Sequence, residues 1–235
     1  MDNQAKINIL NSALSRELRS AITTIADDEG LRAIVLTGAG DRAFIGGADI
    51  TEMAALTPET AKEFISTLHE VCQAIRDAPV PVIARIKGYC LGGGLEVAVA
   101  CDLRVAAVGS TYSMPEVQVG IPSVIEAALL PSLIGWSKTR ELLYTGAMMD
   151  AEQAVACGLI NKLVSPGDLD DAVNLWLDGI VSAGPRAIRL QKELMRKWES
   201  LRLDQAIRAG IDTFASAYET DEPTDRMTKF LKRAR

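Results

Sequence analysis

Through residue 110 the chain alternates short apolar runs with helical stretches, and few folds accept that order. Arg32-Ala-Ile-Val-Leu-Thr37 is an almost continuous apolar run that closes on Gly38 and Gly40. Such a run reads as a strand buried on both faces, as in a parallel sheet. Val80–Ile86 and Leu103–Val108 repeat the pattern. Helices alternate with these strands. Residues 12–26 put Leu14, Leu18, Ile22 and Ile25 on one face, with Ser12 as the expected cap. Pro58–Ala78 starts with a proline behind Thr57, a suitable cap. Residues 92–100 form the next helix. The alternation predicts β-α-β units around a largely parallel sheet.

After Gly120 the pattern becomes helical, over 123–134, 137–145, 151–157, 167–182, 185–198, 202–218 and 224–233. We read residues 1–180 as an α/β core and 181–235 as a helical C-terminal region. The latter carries apolar faces built from Ile188, Leu190, Leu194, Trp198, Leu203, Ile207, Ile211 and Phe214. Those faces need cover from the core or from another subunit.

Composition excludes several functions. The 235 residues are 48% hydrophobic, enough for a packed core. A net charge of -6 argues against a nucleic-acid partner. No apolar run approaches the roughly 20 residues that span a bilayer, and the start has no signal-like apolar stretch. A cytoplasmic location is expected. Cys72, Cys90, Cys101 and Cys157 have no C-x-x-C or zinc spacing and read as small buried hydrophobes. His69, the one histidine, lies mid-helix and far from any nucleophile elbow. It reads as a surface or satisfied core residue, and no metal site is expected.

Chemistry concentrates in three places. Lys87–Asp102 contains Gly92-Gly93-Gly94 after a strand and before a helix. Bare backbone N–H groups at such a helix start can hold an anion or a developing oxyanion, although a glycine triplet alone is weak evidence. Glu96 follows on a helix that is otherwise apolar all round. A carboxylate there is costly unless paired or functional, and a plain helix-dipole role is the competing reading. Glu116 follows Pro115 and leads a second apolar stretch. Gly46-Gly47 offers another loop able to present N–H donors.

Taken together, these stretches resemble the enoyl-CoA hydratase/isomerase (crotonase) superfamily. The match runs through Ile34–Gly38 with Phe44–Met53, Gly88–Asp102, Pro115–Gly120, Leu143–Asn161 and Phe230–Arg233. The resemblance implies a crotonase-like α/β fold of repeated β-β-α units with a helical C-terminal region used in oligomerisation. It implies backbone N–H donors at Ala48 and Gly93 for a thioester oxygen, and Glu96 and Glu116 as the acid/base pair. In family hydratases the counterpart of Glu96 helps deprotonate water and that of Glu116 delivers a proton to Cα. Gly46, Gly47, Asp49, Ile50, Leu91, Gly92, Gly94, Pro115 and Ser123 are then substrate-binding candidates, and Lys229 and Lys232 are candidates for coenzyme A phosphates. No separate cofactor is implied, because coenzyme A arrives as part of the substrate.

The resemblance thus implies hydration of a 2-enoyl-CoA, with double-bond isomerisation or another acyl-CoA reaction as the alternative. A non-catalytic or RNA-binding relative is the alternative of another class. The assembly expected is a homo-oligomer, a trimer or a dimer of trimers. Family chains usually carry further strands ahead of the segment matching Ala5–Leu10. They also often carry a glycine-rich loop where this chain reads Ile121-Pro-Ser-Val-Ile-Glu-Ala-Ala-Leu-Leu-Pro131. Ser123 and Glu126 have capping-box spacing, which predicts Ser123 as an N-cap and Glu126 at the third helical position. The competing reading puts Glu126 in the acyl pocket as a third carboxylate.

Overall fold

A computed structural model describes residues 1–3 and 7–233, so Ala5 and Lys6 of the expected opening segment and the last two residues of the C-terminal region lie outside the described residues. The chain runs through α1 (Ser12–Ala26), β1 (Ile34–Thr37), β2 (Ala43–Ile45), α2 (Ile50–Met53), α3 (Pro58–Asp77), β3 (Val82–Ile86) and β4 (Tyr89–Leu91). It continues with α4 (Gly93–Ala100), β5 (Leu103–Ala107), β6 (Thr111–Ser113), α5 (Leu130–Thr145), β7 (Met149–Asp150), α6 (Ala151–Ala156) and β8 (Lys162–Val164). The helices α7 (Leu169–Ser182), α8 (Pro185–Trp198), α9 (Leu203–Ala217) and α10 (Glu222–Arg233) close the chain.

Two sheets share the strands alternately. One has the order β1-β3-β5-β8 and is parallel throughout. The other has the order β2-β4-β6-β7, with β7 antiparallel to β6. The pairs β1-β2, β3-β4 and β5-β6 each give one strand to each sheet before the next helical segment, which is the β-β-α repeat; the last pair departs from it, because α6 separates β7 from β8. Register is direct in the first sheet, with Ile34 beside Val82 and Ile83 beside Leu103. Phe44, Ile45, Ile86, Leu95 and Tyr112 are fully buried in the main core, and Ile83 is buried in a second cluster with Val105, Leu169 and Val173 of α7. Each such side chain contributes roughly 1.5–3 kcal/mol through removal from water.

Local signals explain the helices. Thr57 caps α3 and shares a capping box with Thr60, and Pro58 begins the helix. The cap of α1 is Asn11, whose side chain accepts from Leu14 N–H, and not Ser12. The Ser12 backbone N–H instead donates to the Glu52 carboxylate. Helix α8 is fastened by Lys192, whose ammonium donates to Ile75 and Val80 carbonyls and to Asp102 Oδ2 at 2.8 Å. Asp102, which is half-buried, also accepts from Val82 N–H, so one ion pair ties α8 to the start of β3. Ile188 and Leu190 are half-buried and Leu194 is buried on that side. Leu203, Ile207, Ile211 and Phe214 remain exposed on this chain. Among the described residues no helix is long and apolar enough to cross a membrane.

Candidate active site

Helix α4 begins where β4 ends, and the geometry of the glycine triplet decides what it can present. Gly92 has φ of +50°, and a Cβ there would sit 2.5 Å from Glu116 Oε1. Gly94 packs against the backbone of β2, where a Cβ would lie 2.2 Å from Ile45 O. Gly94 is thus a packing requirement, whereas Gly93 faces the pocket. A Cβ at Gly93 would lie 3.9 Å from Ala48 N, so these two backbone segments flank one small space.

Ala48 is held by a short parallel bridge to Leu10. Leu10 N–H donates to Gly47 O, and Asp49 N–H donates to Leu10 O. Alternation along extended backbone turns the intervening Ala48 N–H away from Leu10. Asp49 then caps α2 by accepting from Thr51 N–H. Gly46 and Gly47 lie in the turn between β2 and this cap, and Leu91 ends β4 beside the triplet.

A pocket of about 810 Å³ opens in front of these loops. Ala48, Gly93, Glu96 and Glu116 line its polar end. Met53, Leu56, Phe64, Ile65, Leu68, Ile121 and Val124 supply apolar walls, and Ile50 stands exposed at the margin. The arrangement suits an apolar chain ending in a polarisable carbonyl. Lys62 of α3, which the sequence did not single out, adds an exposed basic group to the lining. Lys229 instead lines a separate hollow with Ser182, Arg226 and Phe230, and neither it nor Lys232 is a lining residue of the carboxylate pocket.

The two carboxylates have different surroundings. Glu96 is buried on an entirely buried helix, and Ala127 N–H donates to its Oε1 at 3.2 Å. Burial pushes its pKa up to about 8; the Ala127 hydrogen bond opposes this, and the charges of Glu116 and Glu126 reinforce it. Glu116 opens the three-residue-turn helix Glu116–Val119 after Pro115 and is only half-buried. Burial raises it too, while its own backbone N–H and the Ser123 hydroxyl pull the other way. Ser123 Oγ donates to Glu116 Oε2 at 2.8 Å.

That contact overturns the capping box. Ser123 is spent on Glu116 and caps nothing. The following turn, Ile125–Leu129, is three-ten in form, begins from Val124 and has no side-chain cap. Glu126 is buried and receives the His69 ring Nδ1 at 3.0 and 3.2 Å. It is not a lining residue of the pocket either. His69 itself lies on α3 with an exposed side chain, which is the surface alternative of the two read from the sequence, and Glu126 is its partner. Among the described residues no group of three or more His, Cys, Asp or Glu side chains could hold a metal ion.

Comparison with known proteins settles the family. The profile described as enoyl-CoA hydratase/isomerase matches residues 1–235. The chain belongs to the enoyl-CoA hydratase/isomerase family. It is 35% identical to the crotonyl-CoA hydratase of Syntrophomonas wolfei over 97% of this chain and 88% of that one. It is 32% identical to the short-chain-enoyl-CoA hydratase of Clostridium acetobutylicum, over 97% of this chain and 87% of that one. The crystal structure of an enoyl-CoA hydratase from Bacillus anthracis superposes with a TM-score of 0.94 at 31% identity, covering 98% of this chain and 90% of that chain. The crotonase-like fold expected from sequence is therefore the fold of this enoyl-CoA hydratase/isomerase family member.

Proposed function

We propose that this protein is an enoyl-CoA hydratase, a hydro-lyase that adds water across the double bond of a 2-enoyl-CoA to give a 3-hydroxyacyl-CoA. The observation that carries the reading is the convergence of Glu96 and Glu116 on one apolar pocket beside Ala48 and Gly93. The thioester oxygen accepts hydrogen bonds from Ala48 N–H and Gly93 N–H. This draws electrons from the conjugated double bond and leaves Cβ electrophilic. Water held between the carboxylates attacks Cβ as Glu96 takes one of its protons. The electron pair moves onto the thioester oxygen as an enolate, where two fixed donors stabilise it. Glu116 then protonates Cα. The hydroxyl and one hydrogen of water are added in sum, and a proton passed from Glu96 to Glu116 resets the pair.

Glu96 must be ionised to act as base, so its pKa, raised chiefly by burial, gives kcat/KM a rising limb near pH 8. No separate cofactor takes part in this reading; coenzyme A belongs to the substrate, and Lys62 is placed to meet its polar portion. The setting is cytoplasmic and the assembly a homo-oligomer, trimeric or a dimer of trimers. The apolar face of α9 left open on the single chain supports the latter. The reading is tested by incubating the purified protein with crotonyl-CoA and longer 2-enoyl-CoA thioesters and following products by mass spectrometry. Gain of one water at Cβ is the expected result. A product of unchanged mass with the double bond moved to the next carbon pair would make isomerisation the activity instead.

A further inference from the structure

The turn Ile125–Leu129 packs against both α3 and α4 and is held from both. From α4, Glu96 Oε1 accepts Ala127 N–H at 3.2 Å. From α3, His69 Nδ1 meets both oxygens of Glu126 at 3.0 and 3.2 Å. Glu126 is 6% exposed, and the Cys72 thiol of α3 lies against it as well. Adjacent residues of one turn therefore grip a pocket carboxylate and a surface histidine. The residue before them, Ile125, has φ of +33°, a conformation that a β-branched side chain adopts only when its surroundings impose it. Strain of this kind persists where neighbouring contacts over-determine the backbone, and the two bonds on either side supply those contacts.

We propose that Glu126, locked by His69, is a positioning residue for the hydration reaction: the pair fixes the turn whose Ala127 N–H orients Glu96, and the Glu126 carboxylate adds its charge to the surroundings of Glu96. This rests on the reading of Glu96 as the base. The mechanical part follows from connectivity, since Ala127 is bonded to Glu126 and cannot keep its distance to Glu96 if the turn leaves α3. The electrostatic part follows from proximity. The titratable groups that face Glu96 and Glu126 are Glu116 after β6, and Cys72 and His69 on α3. The charge of Glu126 adds to the burial that holds Glu96 high. His69 is the basic group that contacts Glu126, and its exposed ring opens this buried pair to solvent.

The experiment compares the wild type with Glu126→Gln, Glu126→Ala, His69→Ala and Glu96→Gln, using crotonyl-CoA hydration across the pH range and melting temperature for each. Glu126→Ala and His69→Ala are expected to lower kcat about tenfold or more with KM within about twofold, because Glu96 loses orientation while thioester binding is untouched. Glu126→Gln keeps an oxygen for His69 and removes the charge. It is expected to retain most of kcat and to move the rising limb of kcat/KM down by about half a pH unit. Wild-type kcat in both alanine variants with an unmoved limb in Glu126→Gln would overturn the proposal. A rise in KM at constant kcat would do the same, since it would make Glu126 a determinant of substrate binding. If the alanine variants fail to fold, the limb in Glu126→Gln decides alone. Glu96→Gln separates the two levels: normal turnover there removes the catalytic reading itself, whereas its loss alongside normal Glu126 variants removes only the positioning role.

Discussion

Ser123 donates its hydroxyl to Glu116 Oε2 at 2.8 Å, so the serine that looked like a helix cap is a support for the second pocket carboxylate. The hydroxyl stabilises the ionised form of Glu116 and lowers its pKa against the effect of burial. Glu116 becomes a carboxylate as it gives its proton to Cα, and this hydroxyl stabilises it there, so Ser123→Ala is expected to raise the pKa of Glu116 and to lower kcat by about 2- to 10-fold, the worth of one such hydrogen bond. Ser123→Thr, which keeps the hydroxyl, is expected to restore most of the loss. Equal rates for the wild type and the alanine variant would show that the contact does not matter to turnover.

Glu96→Gln and Glu116→Gln each remove a group that must accept or give a proton. Each is expected to cut kcat for crotonyl-CoA by at least ~10²-fold with the fold intact by circular dichroism. Near-normal turnover in either variant would sink the acid/base assignment.

Glu96 also makes a prediction about stability. Its ordinary value is 4.5 and its folded value about 8. The folded state thus holds a proton that the unfolded chain gives up between those two pH values. Stability attributable to this proton is complete below pH 4.5 and is lost as pH rises through 8, by at most about 1.4 kcal/mol per pH unit. Glu96→Gln has no such proton to lose. Denaturant titrations at pH 5 and pH 8 are expected to show the variant gaining on the wild type at the higher pH. A constant difference at the two pH values would contradict the raised pKa.

How far the sequence disclosed all this differs by residue. Glu96 was legible because a charge stands out on a helix with no polar face. Three strands of the first sheet, β1, β3 and β5, were legible because they lie in largely apolar runs, whereas its edge strand β8, Lys162–Val164, carries no such run. Strands β4 and β6 were not, since Tyr89–Leu91 and Thr111–Ser113 are too short to show a period. Ser123 and Glu126 have capping-box spacing, and spacing registers only local partners. Their actual partners are Glu116, and His69 at a separation of 57 residues, which packing alone brings together. Lys62 was missed because an exposed lysine on a helix carries no distinguishing pattern.

Two glycines of the triplet are expected to fail in different ways. Gly94→Ala drives a Cβ into the backbone oxygen of Ile45 at 2.2 Å, which β2 cannot vacate, and should cost about 1–3 kcal/mol or prevent folding. Gly93→Ala meets the tip of Leu68 at 2.8 Å, a side chain able to turn aside. That variant should fold, yet its methyl group occupies the space beside Ala48 N where the thioester oxygen is to sit. Loss of kcat/KM by ~10-fold or more with a near-normal melting temperature is the expected result. If Gly93→Ala were fully active, the two N–H donors would not be the oxyanion site.

The last prediction concerns the face that the single chain leaves uncovered. Leu203 is 78% exposed and Phe214 68%, Ile207 and Ile211 add to the same open face of α9, and Phe230 on α10 is 72% exposed. Phe214 and Tyr218 pack ring against ring at 5.4 Å, so the patch is ordered and not a scatter of isolated side chains. Exposed apolar side chains grouped in this way mark a contact face, and a closed ring or a pair of rings of identical copies covers every such face at once. Light scattering on the purified protein at micromolar concentration should therefore give a trimer or a hexamer. Replacing Ile211 and Phe214 together by glutamate should dissociate it, because two charges would be buried without partners at the contact. The carboxylate pocket itself contains neither residue, so any loss of hydratase activity in that variant would have to follow dissociation and should recover as protein concentration is raised. A wild-type protein that scatters as a monomer, with the double variant indistinguishable from it, would show that these helices are not an assembly surface.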